Sequence, residues 1–310
     1  MIAFFAKIFG FVLNFIYEVV SNYGIAIILF SILIKLAMLP ISIKQQKTMK
    51  KSMKIQAKMK EIQLKYKNNP EKLNQETMEL YKNENMSPFS GCFSAIAQII
   101  LLFAVFYLVR SPLTYMKKVD VDVINKYTKI AKEYELSTNS AYPEIEVIRE
   151  LDSFRELANT KNIEESVNEK TSMTEINEEE LDSMYINMDF LGLNLAQVPT
   201  KSSDWKVYII PILYVLVAVL SMKITNPTTI KKQEIENVEN NEEKSLTMPE
   251  EDFNPMEQMN KNMNMMFPVM YLAVALIAPL GLALYWLMNS LLMIVERLAL
   301  NKLLKDEEEK

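Results

Sequence analysis

Histidine is absent from this chain of 310 residues, and cysteine occurs once, at Cys92. Without His there is no imidazole general acid or base, no Ser-His-Asp or Cys-His triad, and no zinc site of the usual His and Cys ligands within one chain. One Cys forms no internal disulfide, so cysteine usage says nothing about the redox compartment. Glycine is scarce, at five residues, and the net charge of −5 gives no electrostatic reason to bind nucleic acid; DNA is not an expected partner. What is abundant is apolar: half the residues are hydrophobic, yet 24% are charged. The two kinds are segregated. Long charge-free runs alternate with dense charged blocks, the pattern of a membrane protein rather than of a soluble amphipathic domain.

Four runs stand out. Between Glu18 and Lys44 lie 25 residues whose only charge is Lys35, and between Glu84 and Arg110 lie 25 with none. Between Lys206 and Lys223 lie 16, and between Lys261 and Glu296 lie 34. About 20 apolar residues cross ~30 Å of hydrocarbon. The third run is short, but Trp205 and flanking lysines extend it by anchoring and snorkelling. The fourth, at roughly 50 Å, is too long for one span, and Pro279-Leu280-Gly281 near its middle signals a turn. The expectation is an all-α integral membrane protein with five transmembrane helices, at 21–43, 87–109, 205–223, 261–278 and 281–298. One kinked helix in place of the last two is the alternative.

Charge orients the spans. Residues 44–90 hold eleven Lys against five Glu, a net +6, whereas residues 113–204 carry a net −9. Lysine-rich loops stay in the cytoplasm, and long segments translocate largely regardless of charge. The N-terminus is therefore expected outside and the C-terminus inside, with a cytoplasmic tail at 299–310. The acidic loop 224–260 falls inside, where Lys223, Lys231, Lys232 and Lys261 near its ends hold it. Its low apolar content over 233–257 predicts disorder.

The loops have helical signals of their own. In residues 1–20, Phe4, Phe5, Ile8, Phe9, Val12, Phe15 and Ile16 recur at helical spacing, which predicts a helix lying on the outer leaflet or an extension of the first span. Residues 44–84 read as a basic helical hairpin. Lys44 to Lys67 lacks Gly and Pro, Asn68-Asn69-Pro70 interrupts the pattern, and Pro70 suits the first position of a second helix. The outer segment 110–204 is acidic and largely helical, with Val121, Ile124, Tyr127 and Ile130, then Ile145, Ile148 and Leu151, at helical intervals.

Polar residues inside the spans point to function. An ammonium near the bilayer centre costs about 2.5–3.5 kcal/mol on insertion scales, so Lys35 is expected to face water or a partner. Snorkelling covers only part of its nine-residue distance from Lys44. Ser31 sits one turn before Lys35. Ser94 and Gln98 share a face of the second span, Tyr214 and Ser221 a face of the third. Tyr285, Trp286, Asn289 and Ser290 cluster in the fifth. Singly these are ordinary helix–helix contacts; together they outline a shared hydrophilic hollow. No Asp or Glu is counted within a span, so Lys35 is expected to lack a counter-charge and the hollow to be positive. Methionines cluster too, among them Met49, Met53 and Met59, and flexible thioethers suit surfaces that accept varied apolar sequences.

These residues resemble the YidC-type membrane protein insertases, the family that includes the mitochondrial and chloroplast insertases. Asn22-Tyr23-Gly24-Ile25-Ala26 through Lys35-Leu36 and Leu39-Pro40 is similar to the family's first core span. Lys65-Tyr66-Lys67, Pro70-Glu71-Lys72-Leu73 and Leu80-Tyr81-Lys82 resemble its cytoplasmic hairpin, and Pro88-Phe89-Ser90-Gly91-Cys92 with Gln98 the start of its second span. Phe190-Leu191-Gly192-Leu193-Asn194-Leu195 and Ile210-Pro211-Ile212-Leu213 look like the approach to its third. Phe267-Pro268-Val269-Met270 and Gly281 to Trp286 with Asn289 look like its last two.

The resemblance implies a protein that releases nascent membrane proteins into the bilayer of the bacterial cell membrane without ATP, alone or beside the Sec translocon, with no cofactor, no metal and no catalytic residue. It implies a groove open to cytoplasm and lipid and centred on a positive residue, usually Arg, here Lys35, lined by Ser31, Ser94, Gln98, Tyr214, Ser221, Tyr285, Trp286 and Asn289. It also implies a hairpin whose Met49, Met53, Lys54, Lys58, Lys65 and Tyr66 recruit clients, lipid or the ribosome. Lys keeps the charge but loses Arg's rigid fork, and Ser221 stands where many members carry Gln. No Cys lies near the N-terminus, so the lipid anchor of some relatives is not expected. Two other classes are compared: a Ser31–Lys35 peptidase dyad, which lacks a companion oxyanion hole, and a transporter or channel, for which no inverted repeat is visible.

Overall fold

The computed structural model of the chain describes residues 2–66, 69–83, 90–136, 141–165, 176–225 and 272–308. Residues 226–260 of the acidic loop expected at 224–260, and the first part of the expected fourth span, lie outside the described residues. The rest is an all-α membrane protein. Three helices are long and apolar enough to cross a bilayer: Ile2–Val20, Tyr23–Thr48 and Leu280–Leu303. Two shorter apolar helical stretches, Ile100–Arg110 and Trp205–Ser221, accompany them.

Helix α1 (Ile2–Val20) buries Ala6, Gly10, Leu13 and Tyr17, one stripe at helical intervals. Its Phe4, Phe11 and Phe15 point away from the protein. Gly10 is needed here, because a Cβ would collide with the Tyr115 carbonyl of the chain crossing beneath it. Ser21, in the left-handed region at φ 52, turns the chain. Asn22 then caps α2 (Tyr23–Lys65), its side-chain oxygen accepting from the Ile25 N–H at 3.1 Å.

Helix α2 is the spine. The span expected at 21–43 and the first half of the hairpin expected from 44 form one continuous helix of 43 residues. Pro40 lies inside this helix; it removes one backbone bond, which does not stop a helix held on both sides by strong formers. Tyr66 ends α2, and Asn69 caps α3 (Pro70–Asn83), its side-chain oxygen accepting from the Lys72 N–H. No residue of α3 is buried. The hairpin is held by side contacts such as the Tyr66 hydroxyl on Glu76 (3.1 Å) and Thr77 on the Met59 sulfur (3.5 Å).

Helix α4 (Ser90–Arg110) packs on α1 and buries Ala104, Val105, Leu108 and Val109; a π turn at Leu113–Lys117 follows. The outer segment follows as α5 (Val121–Glu133), α6 (Pro143–Arg149), α7 (Leu151–Glu165) and α8 (Glu178–Met184), with a two-stranded hairpin, β1 (Asp189–Phe190) and β2 (Leu193–Asn194). Ile124, Tyr127 and Ile130 of α5 meet Ile145, Ile148, Leu151 and Phe154 in one core, whereas Val121 is exposed. Two carboxylates are buried beside this core. Glu144 accepts from both the N–H (3.0 Å) and the hydroxyl (2.7 Å) of Thr114, and Glu146 faces Arg149 and Lys201, each 4.0 Å away.

Helix α9 (Ile209–Thr225) enters behind exposed Trp205. A helical stretch at 272–277 ends at Ala278, and α10 (Leu280–Glu308) starts at once. The helix break thus falls at Ala278–Pro279, with Leu280 and Gly281 already helical. The outer segment caps this start: the Leu280 and Gly281 N–H groups donate to the carbonyls of Gln197 and Leu195, both at 2.9 Å. Helix N-termini leave such donors unpaired otherwise. The same segment staples the α1–α2 turn. Asn187 N–H donates to the Tyr17 hydroxyl (2.8 Å), Tyr23 N–H donates to the Asn187 carbonyl (3.0 Å), and the Asn22 amide donates to the Asp189 carbonyl (2.6 Å).

Candidate functional site

Helices α2 and α10 run side by side in the same direction. At the N-terminal ends of both helices Gly281 lies against the Tyr23 ring and Ile27. Toward their C-terminal ends the Gln46 amide donates to the Asn301 side-chain oxygen at 2.9 Å. Lys35 sits about 18 Å down α2 from Tyr23, and Glu296 about 24 Å down α10 from Leu280. A lysine side chain reaching toward the C-terminal ends spans that offset. The Lys35 Nζ is 2.8 Å from Glu296 Oε2, with side chains 21% and 11% exposed.

This corrects the expectation of a lysine without a counter-charge. Glu296 closes the fourth charge-free run, so counting along the chain puts it at the water boundary. The α10 helix does not stop there, and the parallel packing carries Glu296 to the reach of Lys35. Glu296 is thus the one partner of the candidate site that the sequence reading leaves out. Its one signal was its place inside the range expected for the fifth span.

The pair is unevenly built. Glu296 Oε2 is engaged, but Oε1 is buried and without a hydrogen-bond partner among the described residues. A buried ion pair offsets its desolvation only when the remaining lone pairs are satisfied. The sequence-adjacent Arg297 is within electrostatic reach of Glu296.

The other expected site residues divide. Ser31 is buried, and its hydroxyl donates to the Ile27 carbonyl one turn back at 2.7 Å. That bond satisfies the hydroxyl within its own helix and directs its proton away from Lys35. Tyr214 of α9 is buried with its ring 5.8 Å from that of Trp286 on α10. Tyr285, Ser290 and Ser221 are buried, and Asn289 and Trp286 are half-buried. The structure therefore brings together Lys35 with Glu296, and Tyr214 with Trp286. Ser94 and Gln98 lie on α4, and Met49, Met53 and Lys54 on α2, but their side chains fall outside the described residues. Lys58 and Lys65 are exposed on the hairpin, with the Lys65 ammonium 5.3 Å from the Tyr66 ring centre. Among the described residues no group of three or more Cys, Asp or Glu is placed to hold a metal ion.

Comparison with known proteins now decides the family. The profile of the 60Kd inner membrane protein family matches residues 15–308, nearly the whole chain. The chain belongs to this family. Among similar curated proteins are membrane protein insertases YidC. The one from Caldanaerobacter subterraneus subsp. tengcongensis is 41% identical over 106 residues, 34% of this chain and 52% of that protein. The one from Clostridium perfringens is 44% identical over 105 residues, 34% of this chain and 44% of that protein. That of Chlorobaculum tepidum is 45% identical over 100 residues, 32% and 17% respectively. The chain thus spans about half or less of the length of these relatives. Family membership fits the described helices, and it places Lys35, Glu296 and the aromatic pair within the matched region.

Proposed function

We propose that this protein is a membrane protein insertase that moves nascent membrane proteins into the bilayer through a half-membrane polar groove, without ATP hydrolysis. The observation that carries the reading is Lys35: a cation well inside a long apolar helix, partly exposed, in a chain of a family whose similar members are named insertases. A polar outer segment of a client loses water on crossing lipid, at several kcal/mol per unpaired group. A hollow reaching half-way shortens that path and offers hydrogen-bond partners, and a lysine in it favours acidic segments. In this reading Lys35, Ser31, Ser94, Gln98, Tyr214, Ser221, Tyr285, Trp286 and Asn289 line the hollow, and five spans surround it. Helix α1 lies on the outer leaflet with its phenylalanines in lipid. The basic hairpin faces the cytoplasm, where Lys58, Lys65 and their neighbours attract clients, anionic lipid or the ribosome by charge, and the Sec translocon is a candidate partner.

Two observations weigh on the alternatives. The Ser31 hydroxyl is spent on Ile27 and Lys35 is engaged by Glu296, so neither is poised as a peptidase dyad. An intramembrane Lys–Glu pair is, however, also what an ion-coupled transporter carries. One experiment tests both readings: liposomes containing only this protein, supplied with a single-span client and a pH-sensitive dye. Client insertion without a proton leak is expected. A proton flux with no insertion would replace the insertase by the transporter.

A further inference from the structure

We propose that Glu296 is a resident stand-in for the acidic groups of a client segment, and that it sets the charge selectivity of the site by competing for Lys35. This inference rests on the insertase reading and adds a residue and a rule to it.

Three features of the pair lead here. The first is its asymmetry of access. Lys35 is the more exposed partner, so an incoming carboxylate can approach the ammonium while Glu296 still holds it. The second is its incompleteness. Only one oxygen of Glu296 is engaged and the other is buried without a hydrogen bond among the described residues, so the contact is weaker than a fully satisfied buried pair. The third is balance. A client carboxylate that takes the place of Glu296 exchanges one charge-assisted hydrogen bond for another of the same kind. The net change is small, the exchange is reversible, and no external energy source is required.

The resting site is then nearly neutral rather than positive. A bare lysine there would hold any anion, lipid phosphate included. With Glu296 in place, binding requires displacing a carboxylate, and a segment that presents its own carboxylate at that depth makes that exchange at little net cost. Neutral segments leave the pair intact and slide past it. Glu296 therefore acts as a specificity-determining residue on α10 for a lysine on α2.

The test compares two matched single-span clients, one with an acidic and one with a neutral outer segment, in liposomes of zwitterionic lipid containing the full-length protein. The readout is the acidic-to-neutral insertion ratio. In Glu296→Gln the competitor is gone, and the ratio is expected to rise by roughly tenfold, the scale of one charge-assisted hydrogen bond. In Lys35→Gln/Glu296→Gln, which buries no charge, the ratio falls to about one. Glu296→Asp pulls the carboxylate back from Nζ and is expected to raise the ratio less than Gln does. It replaces the Gln variant if that protein fails to reach the membrane. A ratio unchanged or lowered in the single variants, with the wild type inserting both clients, overturns the inference and makes the pair a structural clasp. A wild type that inserts neither client overturns the insertase reading itself.

Discussion

The ammonium of Lys35 and the carboxylate of Glu296 meet at 2.8 Å between two parallel helices, and neither side chain is more than about a fifth exposed. Removing one partner of such a pair leaves the other charge buried, which costs about 3–5 kcal/mol, whereas replacing both by apolar groups of similar size is often neutral or stabilising. Lys35→Ala is therefore expected to lower the Tm in detergent, and Lys35→Met/Glu296→Leu to restore it. Thermal melts followed by circular dichroism check this. Equal melting of the Lys35→Ala variant and the wild type would mean that water reaches Glu296 freely and that the pair carries little energy.

Phe190, at the start of the outer hairpin, covers Gly24 in the first turn of α2. A Cβ at position 24 would run into the root of the Phe190 ring, not its mobile far end. Overpacking of this kind costs roughly 1–3 kcal/mol. Gly24→Val is expected to reduce the folded yield and to expose the outer segment to protease. Gly24→Val/Phe190→Ala, which clears the space, should recover most of the yield. If the single variant resists limited proteolysis as well as the wild type does, the outer segment is not docked through this contact.

The basic hairpin and the acidic outer segment predict opposite sides for two exposed positions. In a Cys92→Ser background, Ser183→Cys on α8 is expected to react with a membrane-impermeant maleimide added to intact cells. Lys82→Cys on α3 is expected to react only after lysis. The reverse pattern would invert the chain in the membrane and place the lysine-rich hairpin outside.

Much of this architecture can be read along the chain because the decisive signals are local. Asn22 and Pro70 mark helix starts by capping chemistry and by a fixed φ. Pro279 marks a break in the helix inside a run too long for one span. The spacing of Ile124, Tyr127 and Ile130 identifies the buried face of α5. Glu296 is only half legible: it falls inside the range 281–298 expected for the fifth span, but its partner does not follow from the sequence. Its meaning depends on the parallel packing of α10 along α2 and on the depth at which that packing sets it, and neither leaves a mark in nearby residues. Gly24 and Gly10 are alike in this. A glycine in an apolar run has no periodic signature, and its need arises only from the Phe190 ring or the Tyr115 carbonyl that comes from far along the chain. The loss of hydropathy at Lys44 marks a change of surroundings along α2, which continues as one helix through Pro40 to Lys65. A hydrogen-bond ladder does not require its side chains to stay apolar.

The last prediction concerns pH and the outer segment. Glu144 is 6% exposed, and burial raises its carboxyl above the ordinary value near 4.5, although the hydrogen bonds from Thr114 oppose the shift. The folded state then binds a proton more readily than the unfolded chain. The sign follows from linkage: the contribution is fully present below the unfolded value and is lost as pH rises through the higher folded one. The outer segment is therefore expected to be more stable in mild acid than at neutral pH, within the window between those two values. Hydrogen exchange of the amides in α5 and α6 reports this directly, because it isolates the segment from the membrane helices. Once corrected for the pH dependence of the intrinsic exchange rate, protection should fall as pH rises through the window in the wild type. It should stay flat in Glu144→Gln, which keeps an acceptor for Thr114 but cannot ionise. A wild-type profile as flat as that of the Gln variant would show that the Thr114 bonds outweigh burial and that Glu144 stays charged throughout.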